Sequence, residues 1–244
     1  MTRVDELVVG RNPVREALKG NRPVNKVLLA RGINPAVWQE LMQLARERGV
    51  PVQPVERVAI ERVARGQAHQ GVAAYLAPYA YAEVEDLLKD AREPFVVVLN
   101  GIQDPHNLGA ILRTADAAGV DGVVIPSRRA APVSATVVKT SAGAVEYVRV
   151  ARVNNVARAL RYFKERGLWV VGAEMSGKVE YWRADLRGPI CLVIGGEESG
   201  LGQVVRDECD LLVRLPMFGR VNSLNASVAG ALLIYEVLRQ RRTP

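Results

Sequence analysis

The chain has 244 residues, 49% hydrophobic and 24% charged, a composition that suits a folded globular protein with room for two domains. No stretch approaches the roughly 20 apolar residues that a bilayer span needs, and Met1–Glu6 lack an apolar signal core, so a cytoplasmic protein with no membrane partner is expected. The net charge of +7 favours polyanionic partners, nucleic acid first; the two cysteines, Cys191 and Cys209, have no metal-type spacing and suggest no disulfide framework.

Residues 1–78 hold 12 Lys/Arg against 7 Asp/Glu and read as a small α/β unit. Asn12 as N-cap and Pro13 in the first turn predict a helix over 12–18. An apolar strand follows at 26–30. Val37, Leu41, Leu44 and Ala45 lie at helical spacing over 35–48, and Gly49 ends that run. A strand at 50–52, a helix at 55–64 and a strand at 71–76 complete the unit. It shows no catalytic constellation. Arg57, Arg62 and Arg65 suit either a phosphate-facing surface or a solvated helix face. Residues 79–93, with 2 basic and 5 acidic side chains between Pro78 and Pro94, read as a linker with a short helix near 84–91.

Residues 94–244 hold 19 basic and 14 acidic side chains and alternate strand with helix. Strands are expected at 95–99, 122–125, 168–172, 190–194 and 211–215, and helices at 107–118, 134–140, 154–166 and 225–239. The rhythm predicts a mainly parallel sheet covered by helices. Ligands of such sheets sit outside the C-terminal ends of the strands, which directs attention to the loops after Leu99, Ile194 and Leu215.

The first loop runs from Asn100 to Gly109 and continues to Arg113. Asn107 is placed to cap the helix, and the apolar stripe Leu108, Ile111, Leu112 and Ala115 leaves Arg113 off the buried face. There it can clamp a phosphate or stand as a surface charge. The second loop, Gly195–Gly202, holds four glycines and the acids Glu197 and Glu198. It is neither a Walker loop nor a dinucleotide fingerprint. Its glycines permit close backbone approach, and its carboxylates would repel a phosphate but suit a ribose or an amine, or simply face solvent. The third, Pro216–Ala229, brings two asparagines and two serines to the entrance of an apolar helix, where they can cap it while its small residues allow close packing.

Together these loops resemble the three motifs of the SPOUT class of RNA methyltransferases, in the TrmH-type ribose methylase branch. The matching stretches are Asp104–Ala115, Val193–Leu201, Leu215–Met217 and Ser223–Ala229. Val9–Val14 and His69–Val72 are similar to the substrate-binding extension of the ribosomal RNA members, an α/β domain that itself resembles a ribosomal protein. The resemblance implies an α/β C-terminal domain tied in a deep trefoil knot, where strand pattern alone predicts an ordinary doubly wound sheet. It also implies a homodimer, S-adenosylmethionine as cofactor, and methyl transfer to the ribose 2′-hydroxyl of a guanosine in 23S rRNA. Residues 1–78 would bind RNA, 79–93 would link, and 94–244 would form the methyltransferase domain. Gly195, Leu215 and Leu224 would line the cofactor pocket. Asn107, Arg113 and Glu197 match residues assigned to catalysis or RNA binding, and Asn225 the asparagine of the third motif. A transfer RNA substrate, and a catalytically silent RNA-binding or ribosome assembly factor, are the alternatives. The base that removes the hydroxyl proton stays open among Arg113, whose guanidinium suits the role poorly, His106, and a substrate phosphate.

Overall fold

A computed structural model describes residues 5–20, 22–89, 91–196, 200–221 and 223–242. The elements run β1 (Glu6–Val9), α1 (Arg11–Lys19), β2 (Val24–Ala30), α2 (Pro35–Glu47), β3 (Val52–Val55), α3 (Arg57–Ala64) and β4 (Val72–Leu76). Then come β5 (Phe95–Asn100), α4 (Pro105–Ala117), β6 (Gly122–Pro126), α5 (Ala135–Thr140), β7 (Val150–Val153) and α6 (Val156–Lys164). The chain ends with β8 (Trp169–Ala173), β9 (Val179–Glu180), β10 (Ile190–Gly195), α7 (Gln203–Asp207), β11 (Leu211–Arg214) and α8 (Ala226–Arg242). Short 3-10 turns lie at Val84–Leu88, Ala144–Glu146 and Tyr181–Arg183. These elements form two compact units, one of residues up to Ala80 together with Val133–Tyr147, the other of Tyr81–Pro132 and the chain from Val148 onward.

The first unit is a four-stranded sheet in the order β1-β4-β2-β3, with β2 and β3 parallel and the other pairs antiparallel. Helix α3 packs Ile60 and Ala64 on Val9, Leu28 and Ala73. Strand alternation turns Val8, Val27 and Leu29 to the opposite face, and all three are buried. Asn12 does not cap α1: the helix starts at Arg11 with Gly10 at the cap position, and the Asn12 Oδ1 accepts from Arg15 instead, at 2.9 Å. Asn34 caps α2, accepting from the Ala36 N–H at 2.9 Å.

The second unit is a seven-stranded sheet in the order β7-β6-β5-β10-β8-β11-β9, and every strand pair in it is parallel. One face packs Val96, Val98, Val170, Cys191 and Val193 against Leu160 and Phe163 of α6. Burial pushes the Cys209 thiol up to about 12 and raises that of Cys191 well above the ordinary thiol range, so both stay protonated at neutral pH. On the other face α4 and α8 lie together, and Gly230 of α8 lets Ile111 and Ile194 approach. β7, β9 and α7 went unforeseen: Arg152 interrupts the apolar run of β7, and the other two are two and five residues long.

Two segments pack otherwise than their sequence suggests. Residues 81–93 belong to the second unit: Ala82 bridges Ala151, and Leu87 is fully buried against β6, where a Cβ on Gly122 would meet Leu87 Cδ2 at 2.5 Å. Residues 133–147, from within the C-terminal sequence block, pack in the first unit. There the Glu146 side chain, 2% exposed, lies 3.7 Å from the Arg22 guanidinium. Arg22 also donates to Glu6 and to the Ala77 carbonyl at 2.7 Å. Burial outweighs the charge of Arg22 and raises the Glu146 carboxyl above its ordinary range. An acid held above its unfolded pKa adds stability that is complete below about 4.5 and is lost as pH rises through the folded value. Glu146→Gln removes that dependence. The melting temperature of the variant minus that of the wild type should therefore increase from pH 4 to pH 7, as thermal unfolding across that range would show; a flat difference would contradict the burial account.

Candidate active site

Sheet register brings the strand-end loops together. In β10 Gly195 stands opposite Asn100 of β5, and Ile194 opposite Ala173 of β8; Ala173 in turn pairs with Val213 of β11. The loops that follow these positions enclose a cavity of about 250 Å³ at the C-terminal edge of the sheet. Its walls include Glu174 and Met175 after β8, Gly195 at the end of β10, Leu215 and Met217 after β11, and Leu224 ahead of α8.

The glycine-rich wall is pinned by its backbone. The Gly196 N–H donates to the Asn100 carbonyl at 2.9 Å, and the Asn100 side-chain amide donates to the Leu201 carbonyl at 2.8 Å. Gly200 returns a bond from its N–H to the Gly196 carbonyl at 3.1 Å. The two arms of the loop thus touch at their base. A Cβ on Gly195 would lie 2.5 Å from the Gly200 carbonyl carbon, and Gly200 has φ +55°, a region that favours glycine.

Among the described lining residues the charged side chain is Glu174. Its carboxylate lies 3.3 Å from the Arg206 guanidinium and against Gly200. Around it the lining is largely apolar, with Met175, Leu215, Met217 and Leu224. Such a cavity accepts a flat apolar ring and offers one carboxylate to a cation or a diol.

Of the residues selected from sequence, Gly195, Leu215 and Leu224 line this one cavity. Asn107 and Asn225 meet at its margin: the Asn225 Nδ2 donates to the Asn107 Oδ1 at 3.0 Å. Asn225 also caps α8, its Oδ1 accepting from the Ser227 N–H at 2.9 Å. Asn107 is not the cap of α4 that its position suggested. Asp104 holds that role, accepting from the His106 N–H at 2.8 Å, with Pro105 in the first turn, and Asn107 is buried one turn further on. Arg113 is exposed and is not among the residues that line the cavity, and His106 is exposed two turns earlier in the same helix. Glu197 lies outside the described residues. Asn100, Glu174 and Met175 were passed over. The strand-end rule that found the other loops applies equally to the end of β8, where Glu174 and Met175 follow directly.

Comparison with known proteins follows this geometry. A family profile described as SpoU rRNA methylase matches residues 94–235. The chain belongs to the SpoU rRNA methylase family. A second profile, for the substrate-binding domain of RNA 2′-O ribose methyltransferases, matches residues 7–82. A TrmH-family tRNA/rRNA methyltransferase of Bacillus subtilis is 46% identical over 245 residues, covering 99% of this chain and 98% of that protein. The SpoU methyltransferase AviRb of Streptomyces viridochromogenes, solved in complex with AdoMet, superposes with a TM-score of 0.83 at 27% identity, over 97% of this chain and 90% of its own. The TrmH/SpoU tRNA-modifying enzyme of A. aeolicus aligns with 64% of this chain and 79% of its own, with a TM-score of 0.55 and 31% identity. Within the SpoU family, then, this chain has an α/β methylase domain with a mainly parallel sheet preceded by a substrate-binding domain.

The crossing at Gly195 gives a direct test. Gly195→Ala places a methyl group in the Gly200 backbone and should lower stability by about 1–3 kcal/mol, with faster amide exchange over 195–201. Gly219→Ala, where an added Cβ meets nothing within 4 Å, is the control and should melt like the wild type. Equal melting of the two variants would mean that the close approach carries no structural weight.

Proposed function

We propose that this chain transfers a methyl group from S-adenosylmethionine to the ribose 2′-hydroxyl of a guanosine in 23S rRNA. The observation that carries the reading is the glycine-walled cavity outside β8, β10 and β11, lined by the three residues that motif resemblance had singled out for the cofactor. The lining fits that molecule. Leu215, Met217 and Leu224 offer an apolar face for an adenine, and Glu174 a carboxylate for its cationic groups or ribose diol. The bound cofactor would supply an electrophilic methyl on a sulfonium.

The chain's own residues have the rest to do. In the transfer the C–S bond breaks, a C–O bond forms to the 2′-oxygen, and the hydroxyl proton leaves to a base. Holding the hydroxyl in line is the main task. Arg113, exposed on α4, would grip the phosphate next to the target ribose bidentately. Asn107 and Asn225, joined at 3.0 Å, would fix the margin against which the ribose rests. Glu197 belongs to the catalytic set in this reading. The proton acceptor would be His106 or a substrate phosphate more readily than Arg113, whose guanidinium is a poor base.

The proposal extends to domain roles and assembly. Residues 1–78 would bind RNA, 79–93 would connect, and 94–244 would carry out methylation, knotted and in the bacterial cytoplasm where ribosomes are built. A homodimer is supported by α8: Val228, Leu232 and Tyr235 follow at helical spacing and are 48%, 41% and 49% exposed, an apolar stripe on the helix whose start lines the cavity. Leu232→Asp should convert a dimer to a monomer in light scattering; an unchanged mass would place any dimer contact elsewhere.

The deciding experiment is incubation of the protein with total RNA and methyl-labelled cofactor, followed by mapping of alkali-resistant 2′-O-methyl positions. Label in 23S rRNA supports the reading, label in tRNA moves the substrate, and cofactor binding without label on any RNA favours a silent binding factor. Arg113→Ala should lose methylation by at least a hundredfold while calorimetric binding of S-adenosylmethionine persists, and turnover retained in that variant would remove Arg113 from the mechanism.

A further inference from the structure

Between Met217 and Ser223, both of which line the cavity, the chain runs through Phe218-Gly219-Arg220-Val221. Phe218 is 94% exposed, the highest value among the exposed large hydrophobics. The sequence has three phenylalanines, and the other two, Phe95 and Phe163, are 1% and 0% exposed. An aromatic ring left in water loses the burial that ordinarily stabilises it, so a ring held at a site's mouth is suited to gain that burial on binding. A Cβ on Gly219 would meet nothing within 4 Å, so the loop stands clear of the body behind it.

The neighbours of the ring indicate the partner. Gly219 and Arg220 follow it, and Arg220 is exposed. In the segment around the ring the exposed apolar side chains are Val221, at 66%, and Leu224, at 37%, and the exposed charge is the basic Arg220. A ring with a guanidinium two residues on matches the base and phosphate of a nucleic-acid strand, since every base offers a π-face and every linkage a negative charge. A ribose that leaves its stack to present its 2′-hydroxyl at the cavity leaves its base unstacked, and such a base gains from a new neighbour.

The geometry points to Phe218 as a stacking platform for a base of the substrate RNA at the cavity mouth, with Arg220 on a phosphate of the same strand. This inference rests on the reading of the chain as an RNA methyltransferase, and its test separates the two. The variants are Phe218→Ala, Phe218→Leu and Phe218→Trp in the full chain. The readouts are KM for the methylated RNA, kcat, calorimetric affinity for S-adenosylmethionine, and mass by light scattering. Alanine and leucine should each raise the RNA KM about tenfold or more, tryptophan should keep it near the wild-type value, and cofactor affinity and mass should not move.

An unchanged KM in the alanine variant, or full rescue by leucine, would overturn the stacking role. Weakened cofactor binding would make the ring a cover of the cavity, and a change of mass would seat it on a second copy; either result also overturns the proposal. If the wild type methylates no RNA, the functional reading fails. Filter binding of total RNA to the wild type and the three variants then decides the stacking role by the same ordering.

Discussion

The candidate site depends on one close approach of backbone to backbone, where Gly195 at the end of β10 meets Gly200 on the returning arm of its loop. No side chain fits there. Because the arms touch there, the peptide groups of Gly195, Gly196 and Gly200 stand together as a wall. Asn100 fixes that wall to the neighbouring strand twice, through its carbonyl to Gly196 and through its amide to Leu201. Parallel register makes this possible: Asn100 and Gly195 are paired positions, so their loops leave the sheet side by side. The cavity follows from the wall, since β8 and β11 end at the same level and contribute Glu174 and Leu215 from the other side.

A second constraint ties the two helices that cover this edge. Asn225 uses both ends of its side chain, the oxygen to begin α8 and the nitrogen to reach Asn107 on α4. A single residue thereby sets where α8 starts and how its first turn sits beside α4. Gly230, a turn further along, lets the same helix lie on Ile111 and Ile194. The capping signal was visible in the sequence as asparagines and serines ahead of an apolar run. Its use at Asn107 was misjudged because Asp104, three residues earlier and followed by Pro105, is the better cap, and the helix therefore begins sooner.

Much of the second unit was legible from local pattern. Continuous apolar runs such as Phe95–Leu99 and Ile190–Ile194 announce strands buried on both faces, and the glycine and proline punctuation between them marks the loops. What escaped were pairings made by short or mixed segments. β7 carries Arg152 within four residues, and α7 is a single turn and a half. The placement of 133–147 in the first unit has no local signature, because it is decided by burial of Glu146 near Arg22, more than 120 residues apart in sequence. The resemblance to a known family supplied what pattern could not, namely the nature of a ligand for the cavity; Asn100 opens one of the loops that pattern singled out but was given no role there, and Glu174 follows a strand whose end was not considered.

The separation of Arg113 from the cavity wall has chemical sense. A methyl donor and a methyl acceptor must approach along one line from opposite sides. Residues that hold the donor therefore belong in the recess, and residues that hold the acceptor belong outside it. Among the described residues the lining is largely apolar with the carboxylate of Glu174, which suits a cationic, ring-bearing molecule better than a phosphodiester strand. Arg113 on α4 and Arg220 beyond Met217 are exposed outside that recess, where the proposed reading has them meet the RNA backbone. A largely apolar recess with basic side chains outside it is the division that a transfer between a sulfonium and a polyanion demands, and in the proposed reading it gives exposed Arg113 a place on the acceptor's side.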